Sequence, residues 1–353
     1  MRILITGGAG FVGTSLCIFL KNTYPEYEII AFDNLKRRGS ELNLLDLKDN
    51  NIKFLHGDIR NIEDFEIIGD YDVLVEASAE PSVLAGLDSN PDYVVNNNFL
   101  GSLNCIKNCL KNNAKLIFLS TSRVYPFDKI ENSNFIEEQD RYNFSEHQNE
   151  TGISRLGVSE ALNMQGARSF YGVTKYASEL FIQEYIKFYQ LQATITRFGV
   201  IAGPRQMGKT DQGVVTLWMA KHFWKQSLKY IGYGGLGKQV RDILHINDLM
   251  NLIDLQIHDF DKFNGKIYNA GGGLENSLSL RQMTELCENI SGNKINVVGE
   301  NSNRPADLKV FITDNTKIKN EIGWYPKKTS NDVFTDVYLW ICKNESKLKN
   351  ILS

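Results

Sequence analysis

Tyr171 and Lys175 stand four residues apart in the run Tyr171-Gly172-Val173-Thr174-Lys175, a spacing that puts both side chains on one face of a helix. A tyrosine with an ordinary pKa near ~10 is a poor base at neutral pH, and a cation held beside it stabilises the phenolate and lowers that value. The pair is therefore a candidate general base for a substrate hydroxyl. Thr121 ends the apolar run Lys115-Leu116-Ile117-Phe118-Leu119-Ser120-Thr121, where its hydroxyl can bond the same substrate oxygen and steady it. An amphipathic helix with a solvated lysine shows the same spacing, so the pair gains its meaning from a second signal near the N-terminus.

That signal is the stretch from Ile3 to Leu16, ILITGGAGFVGTSL. Three apolar residues read as a short buried strand, Gly7, Gly10 and Gly13 follow at three-residue intervals, and Phe11, Val12, Leu16, Cys17 and Leu20 continue at helical spacing. Strand, glycine turn and helix are the context in which such glycines cradle a pyrophosphate. The helix N-terminus offers free N–H groups and a positive dipole end to the phosphates. Twenty residues past Gly13, the apolar run from Glu28 ends in Asp33, where the fingerprint places a carboxylate that grips the adenosine ribose. A carboxylate there repels a 2′-phosphate, which favours NAD over NADP, while Arg37 and Arg38 keep the second cofactor open.

The elements that must position these residues alternate between strand-like and helical stretches, the pattern of a parallel sheet flanked by helices. Residues 53–59 read as a third strand stopping near Asp58, which either meets the adenine together with Ile59 or caps a helix beginning near Asn61. Residues 72–79 read as a fourth strand ending in small side chains that let a dinucleotide lie close. A helix is expected over residues 96–111, carrying Asn98, and another from Tyr171 through Tyr185. Residues 126–169 are polar and irregular, too long for a plain connection, and are expected to be a loop that covers the substrate. The expected architecture is α/β, a doubly wound parallel sheet (Rossmann) with a smaller, interleaved C-terminal substrate-binding lobe. Its first domain takes residues 1–198 with the 126–169 insertion, and residues 199–353 form mainly the second lobe.

Bulk composition narrows the class. The chain has 353 residues, 42% hydrophobic, 23% charged, with a net charge of −3; this suits a globular protein larger than a single core and argues against nucleic-acid binding, which brings a basic excess. No apolar run reaches the length of a membrane span, and the chain enters a strand at once with no signal peptide, so a cytoplasmic protein is expected. Five cysteines without a C-x-x-C suit reduced thiols. Cys105 and Cys109 lie one helical turn apart, but no histidine is near in sequence; core packing is the reading, and no metal is expected.

The motifs GGAGFVG, Asp33-Asn34, HGDIR, STSRVY, YGVTK and VIAGPRQ together resemble the extended short-chain dehydrogenase/reductase superfamily, the NAD-dependent nucleotide-sugar epimerases and dehydratases. The resemblance spans essentially the whole chain. It implies Thr121, Tyr171 and Lys175 as the catalytic triad and an NAD site lined by Gly7, Gly10, Phe11, Val12, Gly13, Asp33, Asn34, Asp58, Ile59, Ala77, Asn98, Tyr171 and Lys175. The segments Thr210-Asp211-Gln212-Gly213-Val214-Val215, Gly237-Lys238-Gln239-Val240-Arg241-Asp242, Asn276-Ser277-Leu278-Ser279-Leu280 and Arg304-Pro305-Ala306-Asp307-Leu308-Lys309 are most similar to the CDP-paratose 2-epimerase (CDP-tyvelose epimerase) group. By that resemblance Arg241 and Arg304 meet the diphosphate, Asp307 the nucleoside ribose, and Arg123, Gln206 and Gln239 complete the substrate site. Guanidinium forks suit phosphate oxygens.

Two departures and one absence shape the expected activity. Ser169-Phe170 stands where the group has Ser-Pro, and Arg123 where it has Lys. In the superfamily's 4,6-dehydratases the strand-end Thr is followed by Asp-Glu, the acid and base of the elimination; Ser122 and Arg123 occupy those places here. The resemblance thus implies an epimerase of a nucleotide-diphosphate sugar, a CDP-hexose at carbon 2, serving polysaccharide biosynthesis, with a 4-epimerase or 4-ketoreductase as the alternative. A non-catalytic NAD- or RNA-binding relative is the reading from a different class, natural only if Tyr171 or Lys175 were missing. A homo-oligomer, dimer or tetramer, is expected through helices near residues 98–110 and 171–189, as in relatives.

Overall fold

A computed structural model describes residues 1–87, 90–208 and 212–352, which leaves Thr210 and Asp211 of the segment Thr210-Asp211-Gln212-Gly213-Val214-Val215 outside the described residues. The chain divides into two units: residues 1–124, 169–197 and 250–268 form the first, and residues 125–168, 198–249 and 269–353 the second. The first thus takes in residues 250–268 from late in the sequence, and the segment 125–168 belongs with the second.

The first unit is built on a seven-stranded sheet. In chain order its elements are β1 (Arg2–Thr6), α1 (Phe11–Thr23), β2 (Glu28–Asp33), β3 (Lys53–His56), β4 (Val73–Glu76), α2 (Gly101–Asn112), β5 (Lys115–Thr121), α3 (Phe170–Tyr189), β6 (Ala193–Phe198) and β7 (Ile267–Ala270). The strand order is β7-β6-β5-β4-β1-β2-β3, with β1 parallel to both β2 and β4 and the outer pairs β2–β3 and β4–β5 parallel as well. Order reverses between β1 and β4, the topological switch point at which a doubly wound sheet binds its ligand beyond the carboxyl ends of the strands. Ile3, Leu4, Ile5, Leu74, Val75, Leu116 and Ile117 are all buried, as strands covered on both faces require. One core cluster joins Leu4, Ile30, Phe32, Ile106, Leu116, Phe118, Ile182 and Ile195. Cys17, Cys105 and Cys109 are buried free thiols.

Several sequence expectations need correcting. The third strand stops at His56 rather than Asp58, and the fourth at Glu76, before the small residues. Asn61, not Asp58, caps the following short helical turn, its side chain accepting from the Glu63 amide. The helix read over 96–111 is α2 preceded by a wide π-turn at Asn96–Leu100, where the Asn98 carbonyl also takes the hydroxyls of Ser102 and Ser178; such single-turn bulges interrupt a helix where side chains compete for its carbonyls. Residues 126–169 are not an irregular loop. They carry a helix at Phe127–Glu131 and two antiparallel ladders, Phe135–Glu137 with Tyr142–Phe144 and Ile153–Ser154 with Gly157–Val158. Strands of two or three residues have no periodicity to read from sequence.

In the second unit, Val240–His245 is the central strand, parallel to Val200–Ala202 and Val310–Phe311 and antiparallel to Ser277–Ser279. Helices Val214–Phe223, Leu280–Ser291 and Ser330–Lys343 pack on one another, and the last two begin with reciprocal capping boxes, Ser279 with Gln282 and Thr329 with Asp332. Among the described residues no helix is long and apolar enough to cross a membrane.

Candidate active site

The glycine turn forms as its sequence demands. Gly7 sits at φ +66°, and a Cβ there would lie 2.8 Å from the Ala77 carbonyl oxygen; a Cβ on Gly13 would lie 2.1 Å from the Gly7 oxygen. Only glycine allows β1, β4 and α1 to close on one another like this. Gly7 and Ala77 therefore flank the switch point. Gly10 is the N-cap of α1, with no side chain bonded across the helix start and no acid in its first turn, so the amides around Phe11, Val12 and Gly13 remain available to an anion. This cradle fits the pyrophosphate of a dinucleotide.

Asp33 ends β2 with its carboxylate shared between two backbone amides, Ala9 at 3.1 Å and Leu35 at 2.7 Å. Burial raises its pKa, and these amide bonds oppose the rise. A carboxylate has room for about four hydrogen bonds, so Asp33 can brace the glycine turn and still accept from ribose hydroxyls. Asn34 donates to Asp58 at 2.9 Å, and Arg60 pairs with Asp58 at 2.6 Å. Burial alone would raise the Asp58 pKa, but the hydrogen bonds from Arg60 and Asn34 bring it down to about 2. Ile59 is core, with its carbonyl taken by Asn104 at 2.9 Å. Asn98 is fully buried; its Oδ1 accepts the Glu80 amide at 2.7 Å and its Nδ2 donates to the Glu80 carbonyl at 3.0 Å. Its side chain holds the segment after β4 in place.

At the end of β5 the candidate catalytic residues come together. Ser169 caps α3, its hydroxyl accepting from the Gly172 amide at 3.2 Å, and this sets Tyr171 in the first turn with Lys175 one turn further. The Tyr171 hydroxyl shares a hydrogen bond with Thr121, which also accepts the Arg123 amide at 3.2 Å. Burial pushes the phenol above its ordinary value; the Thr121 bond and the Arg123 charge pull it down, and Glu76 and Glu80 push it up. The phenol feels the charges of Arg123, Glu76 and Glu80, while Lys175 turns its ammonium to Glu76. Its ammonium, 2% exposed, lies 3.1 Å from the fully buried Glu76 carboxylate and 3.9 Å from the centre of the Phe118 ring.

The substrate residues expected in the second unit fall into separate groups. Arg241 and Asp307, expected to meet phosphate and ribose, are bonded to each other at 2.7 Å, and the Arg241 guanidinium also donates to the Val240 carbonyl. Arg304 opens the same turn, its carbonyl accepting the Asp307 amide at 3.3 Å. Gln239, just before the strand that carries Arg241, is 6% exposed, and its Oε1 has no partner among the described residues. Gln206 stays apart, bonded to the Ile201 carbonyl and the Thr216 hydroxyl. Among the described residues, no three His, Cys, Asp or Glu side chains gather as a metal site would.

Three acidic side chains lie outside the set expected from the sequence. Glu76 looked like part of an apolar strand, yet it is the counter-ion of Lys175. Glu179 accepts from the Ser120 hydroxyl and from Arg197, the latter through bonds of 2.6 and 3.1 Å. Its position, four residues past Lys175 on the same helical face, was the available signal. Glu131, in the segment read as loop, accepts the Lys309 amide and bonds Tyr233.

The sequence pattern of a family described as "NAD dependent epimerase/dehydratase family" matches residues 3–271. The chain is 32% identical over 351 residues to CDP-paratose 2-epimerase of Salmonella typhi, covering 96% of this chain and 99% of that one. In structure it is similar to UDP-glucose 4-epimerase of Thermotoga maritima solved with UDP-glucose, with a TM-score of 0.80, 25% identity, and coverage of 98% and 100% of the two chains. It is also similar to dTDP-glucose 4,6-dehydratase of Bacillus anthracis in complex with NAD, with a TM-score of 0.78, 26% identity and 99% coverage of each.

Proposed function

The chain belongs to the NAD dependent epimerase/dehydratase family, and from that premise we propose that it epimerises a nucleotide-diphosphate sugar, a CDP-hexose at carbon 2, by transient oxidation to a ketone. The observation that carries this reading is the junction of Tyr171 with Thr121 at the end of β5, next to positions 122 and 123 that hold Ser and Arg rather than two acids. Likeness to the Salmonella typhi CDP-paratose 2-epimerase over the whole chain supports the choice of nucleotide and carbon.

Bound at the switch point, NAD supplies the acceptor and donor of a hydride. The chain's own residues do the rest. Tyr171 Oη takes the proton of the substrate hydroxyl and later returns it; Thr121 fixes the same oxygen by a hydrogen bond, so that the proton moves along a set line. Arg123 lowers the cost of negative charge on the phenol. With no carboxylate at positions 122 and 123, nothing there expels water from the neighbouring carbons, and the ketone, presented on its opposite face, takes the hydride back at carbon and the proton back from Tyr171 at oxygen. Gly7, Gly10, Gly13 and Asp33 hold the dinucleotide, while Arg241, Arg304 and Asp307 take the nucleotide diphosphate of the substrate.

Leu100, Val173, Leu180 and Phe181 are exposed beside and along α2 and α3, an apolar face that suits a homo-dimer built on these two helices. The protein works in the cytoplasm, where its five free cysteines stay reduced.

The test is product analysis by mass spectrometry and NMR with a panel of CDP-, UDP-, GDP- and dTDP-hexoses. Inversion at carbon 2 of a CDP-hexose is the expected result. Inversion at carbon 4 of a UDP-hexose would replace the substrate assignment with the alternative, and loss of water would contradict the role given to positions 122 and 123.

A further inference from the structure

Lys175 is a cation almost without water. Its side chain is 2% exposed and that of Glu76 fully buried, with 3.1 Å between Nζ and Oε2. Removing an ammonium from water favours its neutral form unless an opposite charge replaces the lost solvation. The groups around it are few. On its own helix stand Tyr171 and Glu179, and the charge of Glu179 is committed to Arg197. The Phe118 ring of β5 offers its face, α2 contributes the Cys105 thiol, held well above its ordinary pKa by burial, and Arg123 and Glu80 act on Tyr171 from the ends of β5 and β4. Glu76 is the carboxylate in direct contact.

We propose that Glu76 is a positioning residue of the reaction: as the buried counter-ion of Lys175, it keeps that lysine charged and fixed one helical turn from Tyr171, and so maintains the base. Among the described residues the other carboxylate oxygen of Glu76 has no hydrogen-bond partner, so the carboxylate is held in the core chiefly by this one pair. Without it the buried ammonium has no counter-charge in contact, and a neutral Lys175 gives the phenolate no support. The inference rests on the reading of Tyr171 as the base.

The experiment uses NAD-loaded full-length protein with lysine side chains labelled for carbon NMR and the Lys175 signal identified by its loss in Lys175→Met. In Glu76→Gln, the pH at which Lys175 titrates moves down by at least about one unit relative to the parent. Turnover at neutral pH falls about tenfold or more, the acid limb of kcat moves to higher pH, and KM and NAD content stay near the parent values. Glu76→Asp, which keeps the charge, moves both measures in the same direction by less, and it carries the comparison if Glu76→Gln does not fold. An unchanged Lys175 titration, or an acid limb that moves to lower pH, overturns the inference, the latter because it would mean that Glu76 only opposes the phenolate. Tyr171→Phe separates this from the underlying reading: turnover surviving in that variant defeats the assignment of the base, whereas its loss alongside an unmoved Lys175 titration defeats the role of Glu76 alone.

Discussion

Ser120 donates its hydroxyl to the carboxylate of Glu179, both side chains buried, which ties the residue beside Thr121 to the helix that carries Tyr171. Tyr171, Lys175 and Glu179 follow one another at four-residue steps on one face of α3, and each meets a different polar partner: Thr121, Glu76 and the Ser120–Arg197 pair. Three polar ties in a row fix the rotation and axial position of the helix against β4, β5 and β6. An apolar face alone would leave room to slide; paired buried charges do not, because every wrong register strands a charge.

Glu179→Ala leaves the Arg197 guanidinium, 6% exposed, without this carboxylate. The variant is expected to lose roughly 3–5 kcal/mol of stability, the usual consequence of breaking a buried pair from one side. Urea unfolding of the NAD-loaded protein measures it, with Glu179→Leu/Arg197→Met as the control that recovers much of the loss. A change below about 1 kcal/mol in the single variant would mean that the pair is solvated in solution.

Asp33 braces the glycine turn through the Ala9 amide and stands where the ribose is expected. Asp33→Ala is expected to purify with little dinucleotide, whereas the parent protein releases NAD on denaturation. Release of mainly NADP from the parent would shift the assignment from Asp33 to Arg37 and Arg38.

Arg304 tests the substrate half. Arg304→Ala is expected to weaken binding of CDP by roughly 1.5–3 kcal/mol, the range for a hydrogen bond to a charged group, with NAD content unchanged. Titration calorimetry gives the number directly. Equal affinity in variant and parent would remove Arg304 from the site.

Much of the first unit was legible because its signals are local. The strand, glycines and helix from Ile3 to Leu16 form one continuous pattern, Lys115–Thr121 is a strand over the residues its apolar run marks, and the four-residue step from Tyr171 to Lys175 needs only helical geometry. What stayed hidden depends on partners distant in sequence. Glu76 reads as a polar break in an apolar strand until Lys175, 99 residues later, comes to lie against it. That Glu80 takes both ends of the Asn98 amide is likewise a contact across 18 residues that no local pattern announces. The ladders in residues 126–169 are too short to leave a period. The pairing of Arg241 with Asp307 joins two motifs, 66 residues apart, that were each read as facing the substrate.

The central claim is transient oxidation with Tyr171 as the base, and its most direct measurement is the isotope content of product formed in deuterated water. Tyr171→Phe keeps the ring and its packing, so that variant is expected to fold, to hold NAD, and to turn over roughly 10²–10⁴ times more slowly. By the proposed mechanism the hydrogen leaves the sugar carbon as hydride in the parent protein and returns to it without meeting solvent. The product is therefore predicted to carry no deuterium on carbon; deuterium at the inverted carbon would mean removal of a proton beside a carbonyl, and would contradict the mechanism.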